Sequence, residues 1–132
     1  MKNNLLVIGQ LTADQKNIIR TLNDSVQFVN PRKGPFELDI INDKIFIIDG
    51  QKREVPFTQT EFKMMKLMML SDRIIGREEF LKKCFYSEEI NSNSVVVHIT
   101  RIREILGEYR GCIKTVINEG YEIRRGGKSW VI

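Results

Sequence analysis

The sequence predicts an α+β fold, and three observations predict it. Phe36, Leu38 and Ile40 alternate with polar residues ahead of the apolar run Ile45 to Ile48, in the manner of strands. Residues 58–106 then carry three segments with helical signals. Finally, CIKTVINEGYEIRR, residues 112–125, alternates, turns at Asn118-Glu119-Gly120 and alternates again, as a hairpin does.

The chain opens as strand, helix, strand. Leu5 to Ile8 is a continuous apolar run, and Thr12 is placed to cap a helix over Asp14 to Leu22 with Ile18, Ile19 and Leu22 inward. Val26 to Val29 reads as a second short strand. Asn30 to Pro35, with two prolines and a glycine, reads as a linker. The chain therefore divides into a short βαβ-like segment at 1–34 and a larger domain at 35–132. Two parallel strands and one helix cannot cover both sheet faces. Two arrangements answer this: packing on the larger domain, or pairing with a second copy of the chain.

In the larger domain, residues 36–48 and a strand from Glu54 to Phe57, joined through the turn signal Asp49-Gly50, make a small antiparallel sheet. Thr58 and Glu61 have capping-box spacing, and the Met-rich run FKMMKLMML that follows is apolar almost all round, as a central buried helix is. Ile74 and Ile75 read as a short strand. Arg77-Glu-Glu-Phe-Leu opens a second helix ending near Phe85, and Tyr86 to Ser92 is a polar loop. The third helix, NSVVVHITRIREIL from Asn93 to Leu106, puts Val95, Ile99, Ile102 and Leu106 on one stripe. Val97, Thr100, Arg101 and Glu104 project from the other side, with His98 and Arg103 on the flanks. Such a face suits a DNA major groove, where arginine pairs with guanine and an apolar group touches a thymine methyl. By itself it equally describes a half-buried helix with solvated arginines.

Composition bounds the alternatives. The chain has 132 residues, 42% hydrophobic and 29% charged, with net charge +4, which permits nucleic-acid binding without demanding it. The basic surplus sits at the ends: residues 35–72 carry five Lys/Arg against seven Asp/Glu, whereas 73–132 carry eleven against eight. Cys84 and Cys112 have neither disulfide-framework nor metal-ligand spacing, so the expectation is no metal, no cofactor and a reducing cytoplasm. LLVIG is far too short for a membrane span. Catalysis finds no purchase. His98 is the single histidine, the Glu78-Glu79 and Glu88-Glu89 pairs read as a helix start and a solvated loop, and Gly126-Gly127-Lys128-Ser129 lacks the strand and first glycine of a phosphate loop. The chain reads as a non-enzyme.

Sheet, three helices and hairpin, in that order, is a winged helix-turn-helix. The segments FTQTEFKMMKLMML, GREEFL, VVVHITRIREILG and IKTVINEGYEI, in register over residues 36–125, resemble the C-terminal effector domain of OmpR/PhoB-type response regulators. The resemblance implies a double-stranded DNA partner, with the third helix in the major groove and the hairpin as a wing. It places Arg101 and Val97 at base-reading positions, beside Val96 and Thr100. It places His98, Arg103, Lys114 and Thr115 at backbone contacts, together with Thr58, Arg77, Asn93 and Ser94 at helix starts. Asn118, Gly120, Arg124 and Arg125 belong to the wing. Tyr121 and Phe85 are read as packing residues.

Three positions depart from the family's habit. Val96 stands where an acidic residue is common, Thr100 where a basic one is frequent, and Ile117 where many members insert a wing arginine. Arg124, Arg125 and Lys128 are the residues available to compensate. The family's receiver domain is matched weakly by residues 1–34, and Gly9-Gln10-Leu11 replaces its acidic pair, so phosphorylation-independent action is expected. The loop Tyr86, Ser87, Glu88, Glu89, Ile90 matches a polymerase-contacting element of the family. Two functions are therefore open: a homodimeric, cytoplasmic transcription regulator on repeated half-sites, or a winged-helix module that binds RNA polymerase or another regulator with little DNA binding.

Overall fold

The computed structural model describes residues 12–22, 30–85 and 93–124, excepting the side chains of 18–22. The expected strands Leu5 to Ile8 and Val26 to Val29, and the inner face Ile18, Ile19 and Leu22, lie outside what is described. Helix α1, Ala13–Leu22, begins where Thr12 predicts. Thr12 Oγ1 accepts from the Gln15 amide at 3.1 Å while Gln15 Oε1 accepts from the Thr12 amide at 2.9 Å, a reciprocal cap.

A four-stranded antiparallel sheet follows in the order β1 (Arg32–Lys33), β2 (Phe36–Asp39), β3 (Lys44–Ile48) and β4 (Lys52–Glu54). Phe36 faces Ile47 and Leu38 faces Ile45 across the ladder, and all four are buried, so the two central strands turn one apolar face to the core. Two expectations are corrected here. Asn30 to Pro35 is no free linker, because Arg32 and Lys33 pair with Glu37 and Phe36. Gly34, at φ 59, supplies the positive angle that a two-residue connection to Pro35 requires. Lys33 then bonds the Met68 and Ser71 carbonyls, setting a cation on the C-terminal end of the next helix. The last strand ends at Glu54 rather than spanning Glu54 to Phe57. Pro56 has no amide to donate, the Val55 amide makes the closing bond to the Ile45 carbonyl at 2.8 Å, and the Val55 carbonyl turns to the Phe57 amide at 2.9 Å.

Helix α2, Gln59–Met69, starts on the predicted capping box: the Thr58 amide donates to Glu61 Oε1 at 2.8 Å and the Glu61 amide to Thr58 Oγ1 at 3.3 Å. Met64, Met65, Met68 and Met69 are buried, so the methionine cluster is core. Helix α3, Arg77–Cys84, buries Phe80, Leu81 and Cys84. Helix α4, Ser94–Leu106, runs through a 3₁₀ segment, Gly107–Cys112, into the hairpin β5 (Ile113–Val116) and β6 (Gly120–Ile123). Tyr109 in the 3₁₀ segment donates to Asp49 Oδ2 at 3.0 Å, tying the hairpin's base to the β3–β4 turn. The element order is that of a winged helix-turn-helix.

The hairpin is also fastened to the helices. The expected strand at Ile74 and Ile75 is reduced to a one-residue bridge at Ile75, which exchanges both backbone bonds with Tyr121 at 2.8 and 3.0 Å. This close approach selects Gly120, at φ 145, since a Cβ there would lie 2.1 Å from the Ile75 carbonyl oxygen.

On the surface of α3, Glu79 accepts from Arg73 at 2.6 and 2.7 Å and from Lys83 at 2.8 Å. The Arg73 hydrogen bonds first, then that of Lys83, lower its carboxyl from the ordinary 4.5 to about 2. A carboxyl depressed on folding stabilises the fold fully above its unfolded range and loses that contribution as pH falls through the folded value. Glu79→Gln is expected to lower the urea midpoint near neutral pH, with the gap to wild type closing as pH falls from about 5 towards 2.

Candidate nucleic-acid interface

The apolar stripe fixes which way α4 faces. Val95, Ile99, Ile102 and Leu106 are buried to within 2% exposure, as their spacing predicts. Val96, Val97, Thr100, Arg101 and Glu104 are exposed on the far side, and His98 and Arg103 sit half-buried on the flanks.

Each flank is held in place. Arg103 Nη2 donates to the Ile113 carbonyl at 2.7 Å and to Thr115 Oγ1 at 2.8 Å, and the guanidinium carbon lies 5.9 Å from the centre of the Tyr121 ring. The residue is a clasp between α4 and the wing, which its expected phosphate role did not include. His98 Nδ1 lies 2.8 Å from the Ser94 carbonyl, and its ring stands edge-on to Phe85 at 4.9 Å. A carbonyl only accepts, so Nδ1 carries a proton and Nε2 is the nitrogen left for a partner. Thr100 Oγ1 donates to the Val96 carbonyl at 2.9 Å, so its one hydrogen is spent within the helix.

The structure brings most of the expected residues together. Arg77, Val96 and Thr115 line one notch of about 310 Å³ between the starts of α3 and α4 and the wing. Lys114 is half-buried on β5, opposite Glu122. Asn93 is exposed at the head of α4, with its carbonyl accepting from the Val97 amide at 2.9 Å. Three expectations need revision. Ser94 is 4% exposed, so its hydroxyl is not presented to a phosphate. Thr58 lines a different groove, with Lys16, Phe62 and Lys66, and its amide is spent on Glu61 Oε1 in the capping box. Arg124 cannot replace an arginine at the wing tip. Its amide bonds the Cys112 carbonyl at the hairpin's base, and its guanidinium pairs with Glu122. Ile117, at the tip, is 80% exposed, while Asn118 takes a positive φ of 65 beside it. Arg125, Lys128 and the loop Tyr86 to Ile90 lie outside the described residues.

The groove beside α2 was not foreseen. Lys63 and Lys66, three residues apart and next to Phe62 and Leu67, were its available signal. Burial holds the Lys66 ammonium below its ordinary range, against the pull of Asp43. Cys84 also lines it, and burial pushes that thiol up to about 11, so it stays protonated and unreactive near neutral pH.

Comparison with known proteins agrees with this geometry. A family profile described as "Transcriptional regulatory protein, C terminal" matches residues 52–123, more than half of the chain. The chain belongs to this family. It carries the OmpR/PhoB-type effector domain, a DNA-binding domain of transcription regulators. The transcriptional regulatory protein QseB of Haemophilus influenzae is 35% identical over 71 residues, which are 52% of this chain and 31% of that protein. The chain thus spans about a third of the length of this curated relative.

Solved effector domains share the fold of this one. The DNA-binding domain of the response regulator AdeR, in complex with an intercistronic region, superposes with a TM-score of 0.67 at 22% identity, covering 73% of this chain and all of that one. The Klebsiella pneumoniae RstA DNA-binding domain in complex with the RstA box gives 0.57 at 24%, covering 72% and 96%. A structure described as belonging to "a novel family of redox sensors in the streptococci evolved from two-component response regulators" gives 0.63 at 22%, over 83% of this chain but 48% of that one. Among the described residues, no helix of this effector domain is long and apolar enough to cross a membrane.

The clasp makes a stability prediction. Arg103→Ala removes a charged donor shared by two wing acceptors and is expected to cost about 1.5–3 kcal/mol in urea unfolding. Faster amide exchange at Thr115 and Val116 should accompany it. Arg103→Lys should recover only part, since an ammonium lacks the planar fork.

Proposed function

We propose that this chain is a sequence-specific regulator of transcription that reads double-stranded DNA in the cytoplasm, with α4 in the major groove and the β5–β6 hairpin over the adjoining backbone. One observation carries the reading: the buried stripe of α4 turns Val96, Val97, Thr100 and Arg101 outward as one face, braced against the wing by Arg103. Arg101 is the reader of guanine, Val97 touches a thymine methyl, and Arg77, Lys114 and Thr115 approach phosphates. His98 turns Nε2 towards the backbone, its Nδ1 being held by the Ser94 carbonyl. The solved relatives captured with an intercistronic region and with the RstA box support a DNA partner for the same fold. Two copies on repeated half-sites would add the affinity that one apolar wing tip lacks. Gly9-Gln10-Leu11 carries no acidic pair, which favours action independent of phosphorylation within this chain.

Binding to DNA selected from a random pool tests the assignment. Arg101→Ala is expected to lose about 1–3 kcal/mol of discrimination at one base pair, and unchanged affinity and preference would refute the placing of α4. The wing is tested in the opposite direction. Ile117→Arg adds a cation where the tip is apolar, so affinity at low salt should rise, and the slope of log affinity against log salt should steepen by about 0.9 for one new phosphate contact.

A further inference from the structure

Among the described residues, the large hydrophobic side chains left exposed are Val96, Val97, Ile105 and Ile117, and every one lies on α4 or the wing. Val96 is 50% and Val97 43% exposed. With Thr100 and Arg101 one turn later, they form a contiguous outward patch. Thr100 sharpens its chemistry. Its only hydroxyl hydrogen goes to the Val96 carbonyl at 2.9 Å, so outward it offers a methyl group and an oxygen lone pair. The first turns of α4 thus present branched apolar ends at three positions, between Asn93 at the head of the helix and Arg101. A base carbonyl would lose its water against such a surface and gain no hydrogen bond, and a base amino group would find a single acceptor, the Thr100 oxygen. The feature of a major groove that fits is the 5-methyl group of a pyrimidine.

We propose that this face reads adjacent methyl groups, so that the half-site carries neighbouring thymines beside the guanine taken by Arg101. The proposal rests on α4 lying in the major groove. Val97 at a thymine is what the family resemblance already implies; Val96 and Thr100, where this chain departs from the family, widen the contact from one methyl to a run of them. Val96 also borders the notch that holds Arg77 and Thr115, which places the outermost methyl next to the strand backbone.

Replacing thymine by uracil deletes the methyl and leaves base pairing unchanged. The full chain is titrated by fluorescence anisotropy against a duplex selected from a random pool, then against the same duplex with deoxyuridine at one thymine at a time. Affinity should fall about fourfold at each contacted methyl, as the transfer of one buried carbon group predicts, and at two or more adjacent positions. Val96→Ala and Thr100→Ser, both at exposed sites, should each erase the uracil effect at one position while leaving the others. Tight binding that is indifferent to uracil at every position overturns the proposal and leaves the DNA reading intact. Selection that recovers no bound DNA at low salt overturns the placing of α4, and the proposal falls with it.

Discussion

Everything at the candidate interface depends on the burial of one stripe of α4. Val95, Ile99, Ile102 and Leu106 are driven into the core, and each such side chain contributes roughly 1.5–3 kcal/mol when fully buried. The Arg103 clasp is worth about as much as one of these residues. The stripe therefore decides which way α4 faces, and the clasp only decides how firmly the wing stands beside it. Because helical residues repeat every 3.6 positions, fixing the inward set also fixes Val96, Val97, Thr100 and Arg101 outward, with no further interaction needed to aim them.

The stripe needs a surface to sink into, and the remaining elements supply it. Helix α2 buries Met64, Met65, Met68 and Met69, and these unbranched side chains fill an irregular space between sheet and helices. Lys33 fastens the first hairpin of the sheet to the end of α2, while Tyr109 fastens the base of the wing to the β3–β4 turn. These two bonds cross sequence separations of 35 and 60 residues. Sheet and wing, which share no strand pairing, are thereby joined through the one core.

Much of this was legible in the sequence where the cause is local. The stripe of α4, the capping boxes at Thr12 and Thr58, and the Gly120 turn all follow from residues within a few positions of one another. The misreadings fall where distant partners decide. Asn30 to Pro35 has the composition of a linker, yet Lys33 is held in a strand by the Met68 and Ser71 carbonyls at the end of α2, 35 and 38 residues away. The role of Arg103 escaped for the same reason, since Ile113 and Thr115 reach it only once the wing has formed. Ser94 looked available as a hydroxyl at a helix start, and only the packing of its surroundings shows it to be buried.

Charge bears on the site in a way that the net value of +4 conceals. Much of the positive charge near α4 is committed inside the protein. Arg103 holds the wing, and Arg124 is paired with Glu122. The outward face is left with Arg101 among apolar neighbours, and the tip of the wing with Ile117. Phosphate contacts give affinity without sequence information, whereas base contacts give the reverse. A surface that spends its cations on its own architecture and offers methyl groups to its partner is weighted towards discrimination over grip. Grip must then come from elsewhere, and the proposed pairing of two copies supplies it, since a second half-site engaged at high effective concentration multiplies affinity without adding a single charge to either face.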